Sequence, residues 1–159
     1  MAIAIGIQTR SCAEKRSVKF AFIIDPIEKL DPGHDSSVAM MEAAQSLGHE
    51  VWITSAGELS VADGRAYATL SLATLTPVEQ VDGKWAAVAD WYTVGDRQLL
   101  PLDSMDAVFM RTDPPVTIPY LYATYVLDYV NPANTLVVNA PSGIRAANEK
   151  MYALTFTEA

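Results

Sequence analysis

The stretch D-A-V-F-M-R-T-D-P-P, Asp106–Pro115, reads as a short buried strand that stops at a polar rim. Ala107–Met110 is apolar, of strand type, and too short for a helix. It carries Arg111 and Asp113 to the point where the chain must turn. Pro114 and Pro115 forbid continuation, because each lacks a backbone N–H and each biases its predecessor toward extended geometry. In open α/β sheets ligands bind outside the carboxyl ends of the strands. A guanidinium and a carboxylate there either face a ligand or pair with each other to close a surface loop.

Upstream, Val18–Ile24 (V-K-F-A-F-I-I) begins alternating and ends continuously apolar, as a strand covered on both faces does. Asp25-Pro26 ends it, and the Asp25 carboxylate either points into the crevice or caps the following turn. Pro32-Gly33 marks a loop. The spacing of Val38, Met41, Ala44 and Leu47 predicts a helix over Asp35–Leu47, with Asp35 or Ser36 as its N-cap. The Asp-Ser-Ser run either caps that helix or meets a ligand at its positive end. Of the adjacent Met40 and Met41, at least one fills the core. Gly48 stops the helix, and Glu50–Thr54 is the second strand of a right-handed β-α-β unit. Asp63-Gly64 and Asp82-Gly83 are turn signals. Between them Arg65–Leu75 alternates loosely; Val78–Val81 and Trp85–Tyr92 read as the arms of a hairpin. These antiparallel strands form an insertion before the strand at Ala107. Trp52, Trp85 and Trp91, lacking surrounding Lys and Arg, read as core or hairpin cover rather than a stacking platform.

Downstream, a helix over about Ile118–Val130 follows, with Pro119 in its first turn. Leu121, Tyr125 and Tyr129 recur every four residues, which places part of the aromatic set against the sheet; a first-turn tyrosine can instead reach the Arg111 rim. Asn131-Pro132 ends the helix, Thr135–Val138 is the fourth strand, and a helical stretch carries Arg145, Asn148, Glu149 and Lys150. The chain divides into an extension over 1–17, poorly ordered in expectation; an α/β domain over 18–147; and a terminal segment, 148–159. Met151–Ala159 keeps helical character with no cap or breaker before its end, as if cut. The fold class is α/β: a Rossmann-like, open, mainly parallel sheet flanked by helices, with an antiparallel hairpin insertion.

Composition narrows the function. The 159 residues hold 19 acidic and 11 basic side chains, a net charge of −8, which argues against nucleic acid and anionic membranes as partners. One cysteine, Cys12, allows neither an internal disulfide nor a thiolate zinc cluster, and a reducing cytoplasm fits that usage. No apolar run reaches the roughly 18 residues of a membrane span, and the order of apolar and basic residues at the start is the reverse of a signal peptide's. His34 and His49 are solitary, so neither reads as a metal ligand. Neither standard phosphate-cradling motif is present, nor a nucleophile elbow, nor H-E-x-x-H.

Five stretches carry a family resemblance: F-I-I-D-P-I (Phe22–Ile27), D-S-S-V-A-M (Asp35–Met40), M-R-T-D-P-P (Met110–Pro115), Y-A-T-Y-V-L (Tyr122–Leu127) and V-N-A-P-S-G-I-R-A-A-N-E-K (Val138–Lys150). In order and spacing they resemble the amino-terminal half of bacterial glutathione synthetases, over Ser17 to the end. Singly they mean little; in register they are specific. The resemblance implies a pre-ATP-grasp domain whose ATP-grasp half is missing here. It also implies an ATP- and Mg²⁺-dependent ligase joining γ-glutamylcysteine to glycine through an acyl phosphate, homo-oligomeric when full-length. Arg111 matches the family's arginine at the peptide cleft, and Lys150 matches the lysine that reaches ATP phosphate. Asp25, Ser36 and Asp113 match motif positions as substrate-binding candidates. The resemblance places no catalytic residue or metal ligand in this stretch, which alone is expected to be inactive. Two alternatives stay open: a non-catalytic module that pairs with a separate grasp-domain chain, and a structural domain whose rim binds nothing.

Overall fold

In the computed structural model, which describes residues 16–147 and 150–156, the run after Ser17 forms the central strand β1 (Lys19–Ile23). Strand β2 (Glu50–Thr54) pairs with it in parallel on one side, Phe20 opposite Val51. On the other side lies β9 (Ala107–Met110), also parallel, with Phe20 opposite Ala107; β10 (Leu136–Val138) extends the parallel set beyond it. The order β10-β9-β1-β2 is the predicted parallel sheet, with the Asp106–Pro115 strand beside the first one.

Helix α1 (Ser36–Ser46) covers one face. Its Val38, Met41 and Ala44 are buried against Phe22, Ile24, Val51 and Ile53. Met41 is fully buried while Met40 is exposed, as adjacent helical positions must differ. Helix α2 (Ile118–Leu127) covers the opposite face: its Ala123 and Leu127 pack with Ala21, Ile23, Val108 and Met110. The period-2 alternation along β1 therefore feeds two cores. The short α3 (Pro141–Ala146) packs beside α2, where Arg145 donates to the Thr124 carbonyl (3.0 Å) and to Asp128 (2.8 Å).

The insertion is more extensive than the sequence suggested. Its spine is β4 (Arg65–Leu75), eleven residues long, antiparallel to β2 through Ser71–Ala73. The amino half of β4 runs past β2 and pairs with β3 (Leu59–Ala62) on one side and β8 (Gln98–Pro101) on the other. The predicted hairpin exists as β5 (Glu79–Val81) and β6 (Lys84–Ala86), with Asp82 and Gly83 at positive φ in the turn. Its second arm is shorter than Trp85–Tyr92. Asp90 sits in the left-handed region at φ 54°, which breaks the strand, and β7 (Tyr92–Val94) turns back to pair with β4.

Three further expectations change. Tyr122, Tyr125 and Tyr129 are exposed, so the Leu121, Tyr125, Tyr129 stripe does not face the sheet; Ala123 and Leu127 do, and of the tyrosines only Tyr120 packs, partly buried, against that core. Helix α2 stops at Leu127, because the amides of Tyr129 and Val130 bond three residues back and tighten the last turn. Of the terminal segment, Lys150–Thr155 is a 3₁₀ turn instead of an α-helix, with Met151, Leu154 and Phe156 exposed. The proposed extension lies, but for its last two residues, outside the described residues.

Candidate functional site at the carboxyl edge of the sheet

Because β1 and β9 are parallel neighbours, the loops after them emerge side by side at one edge of the sheet. The α1 amino terminus reaches the same edge, since α1 follows β1. Asp25, Ser36, Arg111 and Asp113, far apart in sequence, thus line one cavity of about 570 Å³, together with Lys29, Asp31, His34 and Asp35. Four of the five residues singled out from the sequence come together. Lys150 begins the 3₁₀ turn, and its side chain lies outside the described residues.

Arg111 is half-buried, and it makes no ion pair with Asp113 among the described residues. Its Nη2 donates to Ser36 Oγ at 2.6 Å and its Nε to Ser37 Oγ at 3.2 Å. The loop-closing alternative therefore fails for the side chains. What ties the loop is Asp25, whose Oδ2 accepts the Asp113 backbone N–H at 2.9 Å. Asp25 does not cap the 3₁₀ turn that follows it. The capping alternative for the Asp-Ser-Ser run holds at its first residue: Asp35 Oδ1 accepts from the amides of Ser37 (2.6 Å) and Val38 (3.4 Å). That carboxylate already occupies the positive end of α1. Ser36 and Ser37 are left to orient the guanidinium; Ser37, buried, was read from the sequence only as part of the Asp-Ser-Ser run and not as a substrate-binding candidate.

Asp25 and Asp113 also line an adjoining cavity of about 420 Å³, walled by Thr112, Pro114, Thr117 and Tyr120. Burial pushes the Tyr120 phenol above its ordinary range, and the positive charge of Arg111 pulls it part of the way back. This is the first-turn tyrosine that the sequence allowed at the rim. A third cavity, about 480 Å³, opens on the far side of Asp25, where Arg97 meets Glu58 at 2.6 Å. That pair spans β3, β4 and β8 and has no local sequence signal. Asp25 thus lines three neighbouring cavities along this edge, with a guanidinium on one side and carboxylates around it. A guanidinium among carboxylates suits a small zwitterionic molecule better than a neutral one. Among the described residues no three of His, Cys, Asp and Glu gather to hold a metal ion. His34 pairs with Asp31 at 3.0 Å, and His49 stacks edge-on against Phe20. No helix among the described residues is long and apolar enough to cross a membrane.

Fold and cavity together define an open α/β domain with a polar crevice at the carboxyl ends of its parallel strands, the place where sheets of this class bind ligands. The family described as prokaryotic glutathione synthetase, N-terminal domain, matches residues 18–145, and the chain belongs to that family. Glutathione synthetase of Nostoc sp. is 63% identical over 142 residues, which is 89% of this chain and 44% of the relative. That of Synechocystis sp. is 56% identical over 139 residues, 87% of this chain and 43% of the relative. The Vibrio parahaemolyticus enzyme is 35% identical over 141 residues, 89% and 42% respectively. The chain spans less than half the length of these relatives.

Proposed function

We propose that this chain forms the peptide-substrate side of a glutathione synthetase, a ligase that joins γ-glutamylcysteine to glycine at the expense of ATP. Family membership supports the reaction class. The observation that carries the site is the Arg111 guanidinium, held by two serine hydroxyls in the crevice beside Asp25 and Asp113. A planar fork suits a substrate carboxylate, and the neighbouring carboxylates suit the dipeptide's ammonium. In this reading Arg111 binds, Ser36 and Ser37 orient it, and Asp25 fixes the rim by holding the Asp113 amide. In the family's reaction ATP would supply the activation of the dipeptide carboxylate and Mg²⁺ the neutralisation of phosphate charge. The described residues do not fit Mg²⁺, so this chain's part is binding and orientation. Lys150 as an ATP-phosphate contact rests on the sequence resemblance.

Calorimetric titration of the 159-residue chain with γ-glutamylcysteine tests the site. Binding is expected, and Arg111→Ala should weaken it by about 2–5 kcal/mol, toward the low end because the guanidinium is only half-buried. Arg111→Lys should rescue it only partly, since a point charge replaces a fork. Unchanged affinity in Arg111→Ala would remove this residue from the site. The chain alone is expected to give no glycine-dependent ADP release, because an activated acyl group needs enclosure from water.

A further inference from the structure

We propose that the cavity between the outer side of α1 and the β5–β6 hairpin binds a small aromatic amine. This site is separate from the substrate crevice and does not depend on what that crevice holds. The cavity measures about 540 Å³, a size typical of small-molecule sites. Pro32, Pro77, Ala39 and Ala43 supply apolar walls, and Trp85 of β6 lines it as well. Ala39 and Ala43 stand one helical turn apart on α1, and their short side chains leave the space open. The hairpin meets the Pro32-Gly33 loop through its backbone, since a methyl group on Gly33 would come within 2.9 Å of the Trp85 carbonyl oxygen. The space is therefore present before any ligand arrives.

Charge and ring chemistry identify the ligand. The cavity is lined by the carboxylates of Asp35 and Glu42 and by no lysine or arginine. Asp35 is already engaged, accepting from the amides of Ser37 and Val38 at the start of α1. His34, at the side shared with the substrate crevice, pairs with Asp31 at 3.0 Å. Glu42 differs. It is half-buried, its Oε1 accepts the Val78 backbone N–H at 3.1 Å, and among the described residues no basic side chain pairs with it. A carboxylate drawn partly out of water and left without a counter-charge favours a cation. Trp85 is 57% exposed and, among the described residues, packs against no other aromatic ring. An indole is the best side-chain partner for an ammonium and also stacks on rings. Glu42 and Trp85 on one apolar cavity thus match an ammonium carried on a hydrophobic ring. An anionic ligand would meet the charge of Glu42, and the net charge of −8 strengthens that bias.

Titration of the 159-residue chain with phenethylamine, 2-phenylethanol and phenylacetate tests this, because the three share a ring and differ in charge. The amine is expected to bind saturably, with a Kd on the order of millimolar for so small a ligand. Its affinity should exceed the alcohol's by about tenfold, and the acid should not saturate. In ¹H–¹⁵N spectra of the unaltered chain the amine should move the amides of Ala39, Ala43 and Val78 and leave those of Arg111 and Asp113 in place; this readout requires no variant to fold. Glu42→Gln, which keeps an acceptor for the Val78 amide, should lower the amine to the alcohol's affinity. No saturation by the amine at about 10 mM overturns the proposal, as does equal affinity for amine and alcohol. An amine affinity unchanged in Glu42→Gln overturns it too. Shifts centred on Arg111 and Asp113 would assign the amine to the substrate crevice and likewise end the case for a second site.

Discussion

Arg111 donates to two adjacent serine hydroxyls and, among the described residues, to no carboxylate, so its charge is oriented without being neutralised. One consequence is measurable at Tyr120. Burial raises this phenol's pKa, and the nearby guanidinium lowers it by a smaller amount. A tyrosine in the unfolded chain ionises near about pH 10. With the folded value raised above the unfolded one, the stabilising contribution is fully present below pH ~10 and is lost as pH rises through the folded value. A phenolate-absorbance titration should show one tyrosine ionising after the exposed ones. Tyr120→Phe should delete that late step, and Arg111→Ala should move it later still, because the offsetting charge is gone. A late step that survives Tyr120→Phe would place the perturbed phenol elsewhere.

Among the elements, α1 was legible almost to the residue because its signals are local: a capping aspartate, a helical period and a glycine stop. Helix α2 was legible in position but not in rotation. With no charged residue to mark a wet side, the stripe Leu121, Tyr125, Tyr129 competed with Ala123, Leu127, Val130, and only packing against Val108 and Met110 selects the second. The β5–β6 hairpin was legible at its turn and misjudged in its length, since nothing local forces Asp90 to positive φ. Its seating depends on Gly33. A methyl group there would come within 2.9 Å of the Trp85 carbonyl oxygen, a backbone atom that cannot swing aside. The hairpin also borders a cavity of about 540 Å³ against the outer side of α1. Gly33→Ala is therefore expected to lift the hairpin, at a cost of about 1–3 kcal/mol. The Trp85 fluorescence should shift toward that of a more solvated indole, and the thermal midpoint should fall. An unchanged spectrum would show that the loop carrying Gly33 yields instead.

For the molecule as a whole, the site is an outcome of strand order. Arg111 and Ser36 lie 75 residues apart and Asp25 and Asp113 lie 88 apart, yet each pair is bonded. No local pattern announces such contacts; they arise because the chain returns β9 to the side of β1, so that both loops leave from one edge. The sequence could name the residues at the strand ends but not who holds whom, and it left the Arg97–Glu58 pair unseen. The same sheet divides the interior. Met41, under α1, belongs to the core on one face, and Leu127, on α2, to the core on the other. Met41→Ala and Leu127→Ala should each cost about 2–5 kcal/mol, since both side chains are almost fully buried and neither site can collapse without moving its helix. With the sheet between them and no shared partner, the costs should add within about 0.5 kcal/mol in the double variant. Denaturant midpoints at unchanged slope measure this directly. A double variant markedly less destabilised than the sum would mean that the two cores respond to each other through β1, and the crevice at the end of β1 would then be sensitive to packing on either face.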